Sequence, residues 1–139
     1  MDVVLDSNVL FRTLISQGDI LKVLFNPLLT ISAPSKLKEE FIRNKVELVA
    51  KSYISPEQFD RLTELIFENI RFVPENEYES HISNALALLK GHTKDKDFVA
   101  LSLRLNCKVW SYEERLFKIG VAISTKELAD VVRVSGCEL

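Results

Sequence analysis

Glycine and proline are scarce in this 139-residue chain, four of each, and neither clusters. That excludes a Gly- or Pro-rich linker. No repeat or low-complexity segment interrupts the chain, so a single domain is expected. Cysteine is scarcer still. Cys107 and Cys137 show no CxxC spacing and are too few for a disulfide scaffold. Both are expected to be reduced, with Cys107 a small core residue. The two histidines, His81 and His92, form neither HxxxH nor HExxH, which excludes the common zinc patterns. His81 is expected on a helix surface and His92 in a loop. No apolar run approaches the ~20 residues of a membrane span. The N-terminus lacks the basic-then-apolar order of a secretory signal, so a cytoplasmic location is expected. An excess of one charge is also missing: 18 Lys and Arg face 20 Asp and Glu, a net charge of −2. That argues against holding nucleic acid by bulk charge alone and leaves room for a local basic patch. No Gly-rich phosphate loop, Walker motif or nucleophile elbow is present.

What is present is an ordinary globular composition, 47% apolar and 27% charged, which excludes disorder. Val3-Val4-Leu5 is a short apolar run with β-branched residues, read as a buried strand. It stops at Asp6-Ser7-Asn8, good chemistry for a helix cap or tight turn. Helices are expected over 7–15, 19–25 and 35–51, with Pro34 and Ser35 starting the third. A capping box at Ser55-Pro56-Glu57-Gln58 opens another, in which Phe59, Leu62, Leu65 and Ile66 keep the helical period. Further helices are expected over 75–90 and 94–106, with a helical turn at 113–118. A final helix is capped by Thr125 and frays before Gly136. Strands are expected at 28–33, 70–73, 108–111 and 121–123. Short apolar strands alternating with helices predict an α/β fold whose five-stranded parallel sheet is covered on both faces.

In a parallel sheet the carboxyl ends of the strands share one edge, where ligands collect. Asp6 follows the first strand; Tyr112, Glu113 and Glu114 follow the fourth. Asp6 taken alone reads equally as a plain helix cap. On a helical wheel through 94–106, Asp97 falls beside Leu101 and Arg104, among apolar neighbours, and Asp95 falls on a side that looks solvated. In the third helix Leu37, Phe41 and Leu48 form one apolar stripe and Ile42, Val46 and Val49 another. Glu40 borders the first and Glu39 the second, and periodicity does not choose between them. Clustered carboxylates raise each other's pKa and call for a cation, and Mg²⁺ or Mn²⁺ prefers oxygen ligands.

Four stretches, VVLDSNVL, APSKLKEEF, KDKDFVALSLRLN and KVWSYEERL, occur in an order and spacing that resemble the PIN domains. These are metal-dependent ribonucleases that include the VapC-like toxins of prokaryotic toxin–antitoxin pairs. The resemblance covers nearly the whole chain. It implies a three-layer α/β/α sandwich and an acidic pocket holding Mg²⁺ or Mn²⁺. By position it makes Asp6, Glu40 and Asp97 metal ligands. The family has an Asp two residues after a Ser or Thr in the fourth strand; here Glu113 stands at that place, behind Ser111. It is expected as a fourth catalytic acid with a longer reach. Ser7, Asn8 and Ser111 are implied as supports of these acids. Arg12, Lys36, Lys94, Lys96 and Arg115 are candidate RNA-backbone contacts, each near a motif. The implied reaction is hydrolysis of an RNA phosphodiester to a 5′-phosphate and a 3′-hydroxyl. A homodimer and a small antitoxin protein are implied partners. A degenerate PIN domain that binds RNA or protein without cutting is the alternative suggested by Glu113.

Overall fold

The structure, a computed structural model, describes residues 1–136, and the side chains of residues 1–133; Cys137 lies outside them. Five strands, β1 (Asp2–Leu5), β2 (Thr30–Pro34), β3 (Ile70–Val73), β4 (Lys108–Trp110) and β5 (Ala122–Ile123), form one sheet in the order β3-β2-β1-β4-β5. Every pairing is parallel. Val3, Val4 and Leu5 of the central strand are fully buried, as an uninterrupted apolar run requires of a strand covered on both faces. Each such side chain contributes roughly 1.5–3 kcal/mol of burial.

Helices α1 (Ser7–Ser16), α3 (Lys36–Ser52) and α4 (Pro56–Glu68) pack on one another. Helices α5 (Ile82–Leu89) and α6 (Lys96–Leu105) pair, and α6 lies on β1, β2 and β4. Short helices α2 (Asp19–Leu24) and α7 (Glu114–Lys118) and the last helix, α8 (Thr125–Gly136), complete the layers, with α2 against α8. The handedness of crossovers explains the division. The chain steps outward from β1 to β2 to β3, then jumps back across β1 to β4 and β5, so its connections cover opposite faces. The chain builds β2 and β3 on one side of β1 and β4 and β5 on the other, so the switch point falls between β1 and β4 at their carboxyl ends.

Several boundaries differ from the sequence expectation. Pro34 ends β2, in register with Val73, rather than opening α3. The expected helix over 75–90 is two 3₁₀ turns, Glu75–Glu77 and Glu79–His81, before α5. Tyr78 separates them at φ −125°, ψ 2°, with its side chain buried inward. The helix expected from 94 starts as a 3₁₀ turn, Thr93–Asp95, and becomes α-helical only at Lys96. Ser124, not Thr125, caps α8: its hydroxyl accepts the Glu127 N–H and the Glu127 carboxylate accepts its N–H. The helix continues through Gly136 instead of fraying before it. The second apolar stripe of α3 divides: Ile42 is 70% and Val46 87% exposed, while Val49 packs partly buried against the core; the stripe of Leu37, Phe41 and Leu48 is fully inward. The capping box of α4 is formed as the sequence indicates, with both Ser55–Gln58 bonds at 3.1 Å.

Candidate active site

Asp6 leaves β1 at the switch point. Its backbone N–H donates to the Trp110 carbonyl of β4 at 3.0 Å, the last rung between the two strands. It is the N-cap of α1, at φ −82°, ψ 154°, and Oδ1 accepts the Ser7 N–H at 2.8 Å. The plain capping role is therefore real, and it uses one oxygen. The other, Oδ2, accepts the Ser111 hydroxyl at 2.7 Å, across 105 residues of chain. Asp6 is 3% exposed. Its pKa is raised to about 6: burial is the largest cause, the Ser111 and Ser7 bonds oppose it, and the Asp95 and Glu40 charges add to it. A buried acid beside two others at a strand terminus is an electrostatic debt that a cation would settle.

Asp95 is the first correction to the sequence reading. It is 6% exposed rather than solvated. The wheel assumed 100° per residue through 94–106, whereas Asp95 sits in a 3₁₀ turn at φ −96°, ψ 8°, which rotates its side chain inward. Burial and then the Glu113 charge raise its pKa, while Lys94, Arg115 and Lys36 oppose. The Arg115 guanidinium lies 3.8 Å from its Oδ2.

Asp97, in the first turn of α6, is 3% exposed. Its Oδ1 accepts the Tyr78 hydroxyl at 2.7 Å, and Lys36 Nζ lies 3.1 Å from Oδ2. Burial pushes its pKa up, but the Tyr78 and Lys36 bonds and the Lys36 and Lys96 charges outweigh it, and the carboxyl ends below its ordinary value. Tyr78 in turn is raised by burial and by Asp97. Glu40 reaches the same lysine, 3.8 Å from Nζ, and its charge acts on Asp6; Glu39 is exposed and lines a groove with Ser35, Lys36, Glu75, Tyr78 and Asp97. Glu113 is half-buried as the N-cap of α7, its N–H donating to Ser111 Oγ at 2.9 Å. Asn8 does not touch Asp6 in the manner of Ser7; its Oδ1 accepts the Tyr112 N–H at 3.3 Å.

The candidate cations fall around these acids. Lys36 bridges Asp97 and Glu40, Lys96 Nζ lies 4.0 Å from Asp97, Arg115 pairs with Asp95, and the Lys94 charge acts on Asp95. Arg12 instead lies over the Tyr112 ring, 5.0 Å from its centroid. Tyr78 is the residue that sequence reasoning missed. It sits in a stretch read as regular helix, and its signal was a large aromatic in a run of Glu and Asn.

Among the described residues, no three acidic, histidine or cysteine side chains converge closely enough to enclose an ion. Lys36 stands among Glu40, Asp95 and Asp97. The donor chemistry still fits a hard divalent cation. It is all carboxylate oxygen, one member is raised by burial and by the neighbouring Asp95 and Glu40 charges, and Mg²⁺ needs only one or two carboxylates beside water and phosphate. Among the described residues no helix is long and apolar enough to cross a membrane. A comparison with curated proteins found no match. A family model described as PIN domain matches residues 4–132. PIN domains are generally nucleases and generally use divalent metal ions. The match runs from β1 into α8 and takes in the whole acidic edge, so the chain belongs to the PIN-domain family.

Proposed function

We propose that this PIN domain is an Mg²⁺- or Mn²⁺-dependent ribonuclease that hydrolyses RNA phosphodiesters, and that it acts as a VapC-like toxin. The observation that carries the nuclease chemistry is Asp6, buried at the switch point, raised to about 6, with Asp95 and Glu40 beside it. In this reading Asp6, Asp95 and Glu40 hold the ion, with Glu113 acting on Asp95 from the β4 side. Asp97, which the PIN-domain resemblance implied as a ligand, holds Lys36 and is held by Tyr78. A divalent ion bound there supplies Lewis acidity toward a phosphate oxygen and a water of lowered pKa.

The protein's own groups do the rest. Ser111 and Ser7 fix the two Asp6 oxygens, so the carboxylate does not have to be ordered when substrate arrives. Lys36, Lys94, Lys96 and Arg115 border the acids and give an RNA backbone the local positive charge that the net charge of −2 lacks. The toxin role, a small protein antitoxin and a homodimer belong to the same reading and rest on the motif resemblance.

The test is cleavage of a labelled single-stranded RNA with Mn²⁺ and with EDTA. The expected outcome is cleavage in Mn²⁺ alone, lost in Asp6→Asn while circular dichroism is unchanged. Cleavage in EDTA, or full activity in Asp6→Asn, overturns it. For the toxin role, co-purification with a short DNA-binding protein from a neighbouring reading frame is the expected result. Glu113 favours a second reading, a non-catalytic RNA- or protein-binding domain. An inactive wild type that Glu113→Asp revives supports that reading, and an active wild type ends it.

A further inference from the structure

Tyr112 is exposed, yet it is fixed at three points. Its backbone N–H donates to Asn8 Oδ1 at 3.3 Å. Its hydroxyl shares a hydrogen bond with Thr125 Oγ1 at 3.0 Å, and the same oxygen accepts the indole N–H of the fully buried Trp110 at 2.9 Å. The Arg12 guanidinium lies over the ring at 5.0 Å from its centroid. The residue nevertheless remains 40% exposed, and Arg12 is exposed with it. These contacts immobilise the ring without burying it, which leaves a pre-ordered aromatic surface partly in water. The site lies next to the acids. Tyr112 follows Ser111, whose hydroxyl donates to Asp6, and precedes Glu113, whose charge acts on Asp95. Neighbouring Cα atoms are about 3.8 Å apart, so the ring is rooted at the rim of the acidic edge.

We propose that Tyr112 and Arg12 form a base-stacking subsite for single-stranded RNA, in which a nucleobase next to the scissile phosphate lies on the open side of the pair. The inference rests on the ribonuclease reading. An aromatic face takes any base, because every base has a π-face, and a guanidinium adds both a stacking plane and attraction to the backbone. A duplex keeps its bases stacked inside the helix and offers none to the ring, so the subsite favours unpaired RNA. The chain Trp110–Thr125–Tyr112 holds the ring in place before the base arrives, which lowers the ordering cost of binding.

The test is fluorescence anisotropy in EDTA, where hydrolysis that needs a divalent ion does not proceed. The probes are a short labelled oligoadenylate and an abasic ribose-phosphate chain of equal length. Tyr112→Ala is expected to weaken oligoadenylate binding about 5- to 150-fold and to leave abasic binding at the wild-type level. Tyr112→Phe keeps the face and loses only the hydroxyl that pre-orders it, and is expected to weaken oligoadenylate binding far less than Tyr112→Ala. Arg12→Ala is expected to weaken both probes and flatten the salt dependence. If Tyr112→Ala binds oligoadenylate like the wild type, or loses equally on both probes, the subsite is overturned; wild-type cleavage in Mn²⁺ then leaves the ribonuclease reading standing. A wild type that neither binds nor cuts RNA overturns both.

Discussion

Lys36 Nζ lies 3.1 Å from Asp97 and 3.8 Å from Glu40, so one side chain of α3 joins its own helix to the first turn of α6. The lysine is 31% exposed at its side chain and Asp97 4%. Lys36 is thus the nearest positive charge to Asp97, with Lys96 Nζ farther off at 4.0 Å.

Replacing it tests how much it carries. Lys36→Met leaves the buried Asp97 without its nearest counter-ion, with only Lys96 at 4.0 Å, and a loss of about 1–2 kcal/mol is expected at neutral pH, less than for a fully buried pair. A divalent ion no longer competes with the ammonium, so Mn²⁺ should raise the melting temperature more than in the wild type. Thermal melts with and without Mn²⁺ measure both; an unchanged Mn²⁺ shift would show that Lys36 and the ion do not share these carboxylates.

Asp6 makes the metal-free protein sensitive to pH in a defined direction. Its folded pKa is raised from 3.8 to about 6. Between those values the folded state binds more protons than the unfolded one, so stability falls as pH rises through the window. Two units correspond to about 3 kcal/mol. Urea unfolding in EDTA should therefore give a higher stability at about pH 5 than at pH 7. Asp6→Asn should flatten this window, and a flat wild-type profile would contradict the burial of an ionisable Asp6.

Asp97 acts at lower pH and with the opposite sign. Its folded pKa is depressed, so its contribution is present above the ordinary carboxylate range and lost as pH falls through the folded value. Tyr78→Phe deletes the buried bond to its Oδ1. A loss of about 1.5–3 kcal/mol is expected for a hydrogen bond to a charged acceptor, with acid unfolding beginning at higher pH. Circular dichroism during acid titration reads the midpoint.

Asp95 and Asp97 separate in a cleavage assay. Asp95 acts on Asp6 directly, and Asp97 acts through Lys36 and Tyr78. Asp95→Asn should abolish Mn²⁺-dependent cleavage. Asp97→Asn should lower it by about 10- to 100-fold, the range for groups that support ligands. The reverse order would return the third ligand to Asp97.

The local code of this chain was readable. The run Val3-Val4-Leu5 needed a strand buried on both faces, Asp6 made a cap, and Ser55 and Gln58 made a capping box, because each depends on neighbours within four residues. The parallel sheet also followed from the alternation of short apolar runs with helices. Periodicity failed where the backbone left the α-helical period, at Tyr78 and at Asp95, since a 3₁₀ turn rotates side chains by a different angle. It failed too on α3, where two stripes looked alike and only packing decided that Ile42 and Val46 face water.

The sequence by itself determined the elements, their order and the carboxylate at the end of β1. Only the tertiary structure decided which acids meet. Asp6 finds Ser111 because β1 pairs with β4, 105 residues away. Lys36 finds Asp97 because α3 starts just past the end of β2 and the first turn of α6, 61 residues on, comes to rest beside it. Spacing along a chain fixes contacts within one helix or turn. Contacts between distant segments follow from strand order and crossover handedness, which act only once the whole sheet has formed.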